Sequence, residues 1–538
     1  MTMKGLKKLF VLSMAVASTT MLPLLAMAKD IVILHTNDIN CGVEYNLGMA
    51  KLAQLKKDLS ADNHVILVDA GDAIQGTPLG KMSNGTAIVD IMNAVGYDFC
   101  IPGNHEFDFS MDNFLNNIVP RQKAGYYSAN FTDLRTNKPV LPAYKIIEAE
   151  GKKIAFVGVT TPSTIVSSTP SFFQGSNGEY IYGFAEDEKG KAVAKVTQKA
   201  IDEARKKGAD YVILVTHMGM NGSQERYQSE MLIENTKNVD AVLDGHSHER
   251  IPSWLIINKK DKRVVLGQTG TKLKSIGKLT ITEDDNMQYE LVTKIDKADP
   301  VVQNVINNVK APYEKILAQP IGESMVVICH DDPKTGERMV RKQENSLGNL
   351  VADAFRTVMG ADIGIVNGGG LRKDIPAGIF NYNNILQSMP FGNMVSTVEA
   401  TGQQILDLLE MASSKVPGES GAFMSVSGMS YTIDTSIPSS VKLDPKGMFE
   451  GVEGPYRVTN VMVNGEPLDL NKKYIVAGPG YTLKEGGDGM NMLTKGKLLK
   501  DASISESDAV IEYIQNYHDG KIPADYANPY GEGRITIK

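Results

Sequence analysis

Ile31-Val32-Ile33-Leu34-His35-Thr36-Asn37-Asp38 is a four-residue apolar run that passes directly into four polar residues. A short uninterrupted apolar run predicts a strand buried on both faces, and the polar cluster at its C-terminal end predicts a strand end that opens onto a site. The same figure recurs along the chain. Val65-Ile66-Leu67-Val68 runs into Asp69-Ala70-Gly71-Asp72, and residues 97–102 deliver Gly103-Asn104-His105-Glu106-Phe107-Asp108. Tyr211-Val212-Ile213-Leu214-Val215 ends at Thr216-His217, and Ala241-Val242-Leu243 ends in Asp244-Gly245-His246-Ser247-His248. Helices are expected over residues 49–59, with Leu52, Leu55 and Leu59 on one face, over 87–95 and over about 191–207. Five strands separated by helices describe an open α/β sheet, in which ligands bind beyond the carboxyl ends of the strands. His35, His105, His217, His246 and His248 all fall at such ends, five of the chain's 8 histidines.

The bulk properties limit the function classes. A chain of 538 residues is too long for one ordinary core, so two large domains or three smaller ones are expected. The formal net charge is −7, and an acidic surface repels a polyanion, which argues against binding long nucleic acid through its phosphates. Residues 1–28 read as an export signal: Lys4, Lys7 and Lys8, then a mostly apolar stretch, then Ala26-Met27-Ala28 before a cut at Lys29. A periplasmic or secreted protein with no permanent membrane anchor is expected. Cys41, Cys100 and Cys329 are odd in number and far apart, so one bridge is the most they allow.

The strand-end residues suit a two-metal hydrolytic centre. Asp72 is the natural bridging carboxylate, since its two oxygens can satisfy two cations roughly 3.5–4 Å apart. Imidazole, carboxylate and amide together suit Zn, Mn, Fe or Co better than Ca. Asn104 can offer its amide oxygen to a cation, while His105 and Asp108 form an acid/base pair beside it.

After a late strand near residues 276–282, Asp299-Pro300 with Val301, Val305 and Val309 at helical spacing reads as a helical linker over residues 299–320. A second domain is expected over residues 321–538, with a helix ending near Met359 and a strand over residues 363–366. That strand meets Asn367-Gly368-Gly369-Gly370-Leu371-Arg372, where three glycines bring backbone amides close to an anion and the guanidinium clamps it.

With these blocks in place, the chain resembles the 5'-nucleotidase/2',3'-cyclic phosphodiesterase family over nearly its whole length past residue 28. Asp38, Gly71-Asp72, the Gly103 to Asp108 block, Thr216-His217 and Gly245-His246-Ser247-His248 look like the five blocks of its metallophosphatase domain. The resemblance implies a four-layer α/β/β/α N-terminal domain over residues 29–298 and an α/β substrate-binding C-terminal domain. It also implies two divalent ions. Asp38, Asp72 and His248 would surround one, Asp72, Asn104, His217 and His246 the other, with His105 and Asp108 as the catalytic pair. The family writes its first block with His two residues after the Asp; here Asn40 stands there, a weaker ligand that implies a looser first site. In the C-terminal domain the resemblance implies Arg372 as a substrate anchor, Asp488 on the ribose, and Phe423 and Tyr481 as the two rings that sandwich the base. Tyr481 replaces the commoner Phe, and the segment to Gly486 is one residue longer than usual.

The expected activity is removal of phosphate from nucleoside 5'-monophosphates, with 2',3'-cyclic nucleotides or UDP-sugars as further substrates. The alternative is a non-catalytic or weakly active nucleotide-binding surface protein with a degraded first metal site.

Overall fold

The computed structural model describes residues 29–220 and 225–538. The export signal read over residues 1–28 lies outside the described residues. In chain order the strands before residue 293 that build the main sheets are β1 (Ile31–Thr36), β2 (His64–Asp69), β3 (Phe99–Cys100), β4 (Tyr144–Ala149), β5 (Lys152–Thr160), β6 (Tyr211–His217), β7 (Ala241–Asp244), β8 (Arg250–Ile257), β9 (Arg263–Thr269), β10 (Ile276–Ile281) and β11 (Met287–Val292). They form two sheets, ordered β11-β10-β1-β2-β3 and β8-β9-β7-β6-β5-β4. The open sheet read from the strand–helix alternation alone is therefore two sheets, as the four-layer α/β/β/α arrangement implied by the resemblance requires. β1, β2 and β3 lie in one sheet and β6 and β7 in the other, because each sheet has an apolar face that only the other covers.

That inter-sheet layer holds Ile33, Val68 and Phe99 together with Phe156, Ile213 and Leu243. Each such fully buried side chain contributes about 2 kcal/mol relative to exposure. The outer face of the first sheet is covered by α1 (Met49–Leu59) and α2 (Thr86–Val95). After the short α3 (Thr164–Ser167), α4 (Lys191–Lys206) covers the second sheet. The layers run α/β/β/α. Leu52 of α1 is buried, with Leu55 and Leu59 packed beside it, as their spacing predicts.

Tyr289 of β11 keys the two sheets together. An added Cβ at Gly267 would lie 2.1 Å from its ring, and one at Gly277 would lie 2.2 Å from its hydroxyl. The same hydroxyl bonds His35 Nδ1 at 3.1 Å. His35 is thus drawn into the inter-sheet core rather than the strand-end cluster, and burial lowers its pKa to about 3.

The linker forms α5 (Pro300–Leu317). Asp299 caps it, accepting from Val301 N–H at 2.8 Å and Val302 N–H at 3.0 Å, and Pro300 occupies the first turn, where no amide donor is missed. Its inward face is Val302, Val305, Ile306 and Val309, while Val301 is 70% exposed, so the apolar stripe is rotated by one residue from the expected one.

Beyond residue 320 the chain forms α6 (Ser346–Met359), β12 (Ile363–Asn367), β13 (Met394–Thr401), β14 (Met424–Ser427), β15 (Lys473–Pro479) and β16 (Lys497–Ser505). Asn345 caps α6 through Gly348 N–H at 2.7 Å, and Gly360 ends it with φ 66. The five strands make a mixed sheet ordered β14-β12-β15-β13-β16, with an apolar cluster on each face. Cys41, Cys100 and Cys329 are buried free thiols. No helix among the described residues is long and apolar enough to cross a membrane.

Gly267→Ala tests the inter-sheet key. The ring of Tyr289 has no room to retreat, so the substitution should cost about 2 kcal/mol and lower the midpoint of thermal unfolding; an unchanged midpoint would show that the sheets can separate freely there.

Candidate functional site

The carboxyl ends of β1, β2, β6 and β7 meet over one buried polar cluster. Asp38, Asp72, His246 and His248 all adopt left-handed backbone, with φ of 49, 58, 81 and 60. Such strain at non-glycine residues needs surrounding bonds to hold it, and it concentrates at working sites. Here Asp38 N–H donates to Gly71 O at 2.9 Å, and His246 N–H donates to Asp38 Oδ2 at 2.9 Å.

Glu106 supplies the strongest of these ties. Its fully buried carboxylate accepts from Gly103 N–H at 2.6 Å, Ala73 N–H at 2.7 Å, Asp72 N–H at 2.8 Å and Ile74 N–H at 3.4 Å. It binds the loop after β2 to the loop after β3. Burial and the Asp72 carboxylate push the Glu106 carboxyl up to about 7, and the amides it accepts from pull the other way. Asp72 Oδ1 in turn accepts from His105 N–H at 2.8 Å.

The side chains converge as follows. His217 Nδ1 donates to Ala70 O at 2.7 Å, which fixes the ring and aims Nε2 at the carboxylates, 3.1 Å from Asp72 Oδ2 and 4.0 Å from Asp38 Oδ1. His248 Nε2 lies 3.2 Å from Asp38 Oδ1, and the His217 and His246 rings are 5.0 Å apart. Asp72, His217 and His246 offer ligand atoms within 4.8 Å of one another. Against the burial that opposes charge, the Asp72 carboxylate pushes His217 up to about 10, whereas burial lowers His246 to about 3.

Whether these residues fit a cation is answered by what they leave unbonded. Asn104 Oδ1 is buried with no hydrogen-bond partner, and Asp38 Oδ1 and His217 Nε2, also buried, face only a side chain of another metal-type residue without a well-aligned hydrogen bond. Buried acceptors without donors are costly, and acceptors grouped this closely ask for a positive charge among them. The donor set fits a divalent metal. Asn40, expected beside the first ion, is held by its amide nitrogen, which donates to Asp38 O at 3.0 Å and Thr271 Oγ1 at 3.3 Å.

His105 Nδ1 and Asp108 Oδ2 are 2.6 Å apart, and Ser168 Oγ donates to Asp108 Oδ1 at 2.8 Å. Burial opposes protonation of His105, but Asp108 and Asp72 raise its pKa overall. The pair opens onto a cavity of about 530 Å³ between the two halves of the chain. Asp72, Asn104, His105, Asp108, His246 and His248 line one side, and Arg372, Tyr481 and Asp488 the other, while Asp38, Asn40 and His217 sit beneath the surface.

The opposite wall departs from expectation in two respects. Phe423 does not face the cavity: it is fully buried among the apolar residues behind the sheet, so it provides no stacking face. Two of the three glycine amides are also committed, since Gly368 N–H donates to Phe423 O at 2.7 Å and Gly369 N–H to Gly421 O at 2.8 Å. The cause is one and the same. The antiparallel pairing of β12 with β14 continues into both loops and turns the Phe423 ring inward.

Arg372 is held otherwise: its Nε donates to Gly369 O at 2.7 Å, and its guanidinium lies 4.6 Å from the centre of the Phe391 ring. Asp488, with φ 54, accepts from Asn367 Nδ2 at 2.9 Å, and burial raises its pKa. Phe391 was missed in the sequence, as were Arg338, Arg341 and Lys415, which also line the cavity. The Phe391 ring lies 5.4 Å from that of His105, across the two halves of the chain. The close spacing of Arg338, Arg341 and Lys342 ahead of the Asn345 cap was the available signal for a cationic wall. For Glu106 the signal was an acid inside the Gly103 to Asp108 block with no assigned partner.

Comparisons with known proteins agree with this geometry. Residues 31–250 match the calcineurin-like phosphoesterase family, and residues 320–495 match the 5'-nucleotidase C-terminal domain. The chain is 28% identical over 541 residues to a 5'-nucleotidase of Vibrio parahaemolyticus, covering 90% of this chain and 89% of that protein. It is 26% identical to the trifunctional nucleotide phosphoesterase protein YfkN of Bacillus subtilis, of which it spans only 35% of the length. Among solved structures, a 5'-nucleotidase precursor from Thermus thermophilus superposes with a TM-score of 0.78 over 94% of this chain and 99% of that one, at 24% identity, which speaks to the fold.

Glu106→Gln replaces one acceptor oxygen with a donor that faces backbone N–H groups. Losing that buried bond should destabilise the first domain by about 1–3 kcal/mol and weaken metal retention, both measurable by thermal unfolding and elemental analysis of one preparation.

Proposed function

The chain belongs to the calcineurin-like phosphoesterases that continue into a 5'-nucleotidase C-terminal domain, and from that premise we propose that it is a metal-dependent hydrolase of nucleoside 5'-monophosphates. The observation that carries the proposal is the composition of one cavity. A buried cluster of metal-type ligands and the His105–Asp108 pair lie on one wall, and Arg372 with Asp488 lies on the other.

We assign Asp38, Asn40, Asp72 and His248 to one divalent ion and Asp72, Asn104, His217 and His246 to a second, with Mn, Zn, Co or Fe as the fitting identities. When bound, such ions supply charge to phosphate oxygens and acidify water. The protein's own residues do the rest. Asp108 holds the Nδ1 proton of His105, so the ring presents Nε2 in a fixed orientation, and the imidazolium that Asp108 favours can donate there to the leaving oxygen. Ser168 prevents Asp108 from rotating away. Arg372, braced by Gly369 O and Phe391, offers its remaining N–H groups to the phosphate, and Asp488 is an acceptor for ribose hydroxyls. With Phe423 buried and Phe391 packed on Arg372 beside His105, Tyr481 is the ring left for the base, which is held by one ring rather than two. Cyclic nucleotides and UDP-sugars are further candidate substrates, and residues 1–28 support a periplasmic or secreted location.

Phosphate release from AMP, UMP, UDP-glucose and a 2',3'-cyclic nucleotide, with Mn, Co, Zn or chelator, tests this reading. Activity should vanish with chelator and return with metal, and His105→Ala should lower kcat by about 10²–10⁴-fold. Nucleotide binding that persists without metal and without turnover would instead favour a non-catalytic binder. Asn40→His should raise metal occupancy at limiting metal; equal occupancy in both proteins would refute a weakened first site.

A further inference from the structure

The Tyr481 ring lines the cavity but has one side taken up by the protein. It lies against Gly487, where an added Cβ would fall 2.2 Å from the ring. Its hydroxyl accepts from Asp488 N–H at 3.0 Å and donates to Val166 O at 3.0 Å. One hydroxyl thereby joins the loop that carries Asp488 to α3, on the other half of the chain.

The far side of α3 reaches the candidate catalytic loop. Ser167 O accepts from Asn104 Nδ2 at 3.5 Å, and Ser168 Oγ donates to Asp108 Oδ1 at 2.8 Å, whose other oxygen holds His105 Nδ1 at 2.6 Å. Ser168 is 1% exposed, so water does not substitute easily for its hydroxyl. A continuous path therefore runs from Asn367 and Asp488 through Tyr481, Val166 and Ser168 to Asp108 and His105. α3 is only four residues long and has no side-chain cap at its start. Ile165 and Val166 seat it in the apolar core of the first half, and a helix that short takes the rest of its placement from contacts at its edges.

We propose that α3 is a relay between the two ends of the cavity: the Tyr481 hydroxyl pins α3 when the two domains are together, and α3 then holds Asp108 and Asn104 in register through Ser168 and the Ser167 carbonyl. Tyr481 and Ser168 are positioning residues, acting on the reaction through Asp108 and Asn104. Occupancy of the nucleoside end orders the Asp488 loop, and that order reaches the phosphate end through one hydroxyl. This rests on the reading of function above.

A double-mutant cycle on the metal-loaded full-length protein tests the relay. Tyr481→Phe keeps the ring against Gly487 and removes only the hydroxyl, and Ser168→Ala removes the bond to Asp108. With AMP as substrate, each should lower kcat about tenfold with KM changed less than about twofold, as expected for losing one bond to a positioned group. The double variant should be no slower than the slower single one, and Ser168→Thr, which keeps a hydroxyl, should recover most of the rate. Losses that multiply would overturn the relay, as would a raised KM with kcat intact for Tyr481→Phe. Small-angle scattering on the same proteins without substrate needs no turnover: Tyr481→Phe should have a larger radius of gyration than wild type, and Ser168→Ala should not. Equal radii would overturn the pinning. If the wild type releases no phosphate from AMP with any metal, the reading of function fails, and the scattering comparison still decides whether Tyr481 pins α3.

Discussion

The carboxylate of Glu106 carries more of the site than any metal-type ligand does. Four backbone N–H groups from two loops point at it, and it lies where water cannot replace it. Through it the loop bearing Asp72 and the loop bearing Asn104, His105 and Asp108 become one body. The left-handed backbone of Asp72 costs free energy that such bonds offset, and the Asp72 carboxylate then returns the favour by accepting from His105 N–H. A carboxylate is the right group because it alone offers two acceptor oxygens without any donor of its own.

The second constraint is the division of the cavity. The metal-type cluster is built on strand ends held by a double-sheet core, so its atoms are fixed before any substrate arrives. The opposite wall belongs to a different core, and several contacts bring the two together, among them Tyr481 on Val166, Phe391 beside His105, Tyr227 on Pro445 O at 3.0 Å and Lys81 on Ser507 Oγ at 3.3 Å. The metal-type cluster and the opposite wall thus rest on separate cores, with α5 in the covalent connection between them.

Much of this was legible in the sequence because it is local. An apolar run ending in Asp, His or Asn places those side chains at a strand's carboxyl end whatever the neighbouring strand is, and the Asp299-Pro300 cap specifies a helix start within three residues. His35 shows the limit. It carries the same local signal as His217, yet Tyr289, more than 250 residues away in sequence, draws its ring into the inter-sheet layer. Glu106 sat inside the most informative block and could not be assigned, since its partners are mostly backbone amides of another loop.

The sequence by itself determined which residues stand at strand ends, the alternation of strand and helix, the start of α5 at Asp299-Pro300, and the resemblance that implies a dimetal phosphoesterase. Only the tertiary structure decided which strands belong to which of the two sheets, that Phe423 is core rather than clamp, that the amides of Gly368 and Gly369 serve the fold, and that Tyr481 bridges the domains. The reason is physical. Side-chain identity is a property of one residue, but which way a ring faces and which amide is free depend on the strand that pairs beside it, and that partner lies tens to hundreds of residues away.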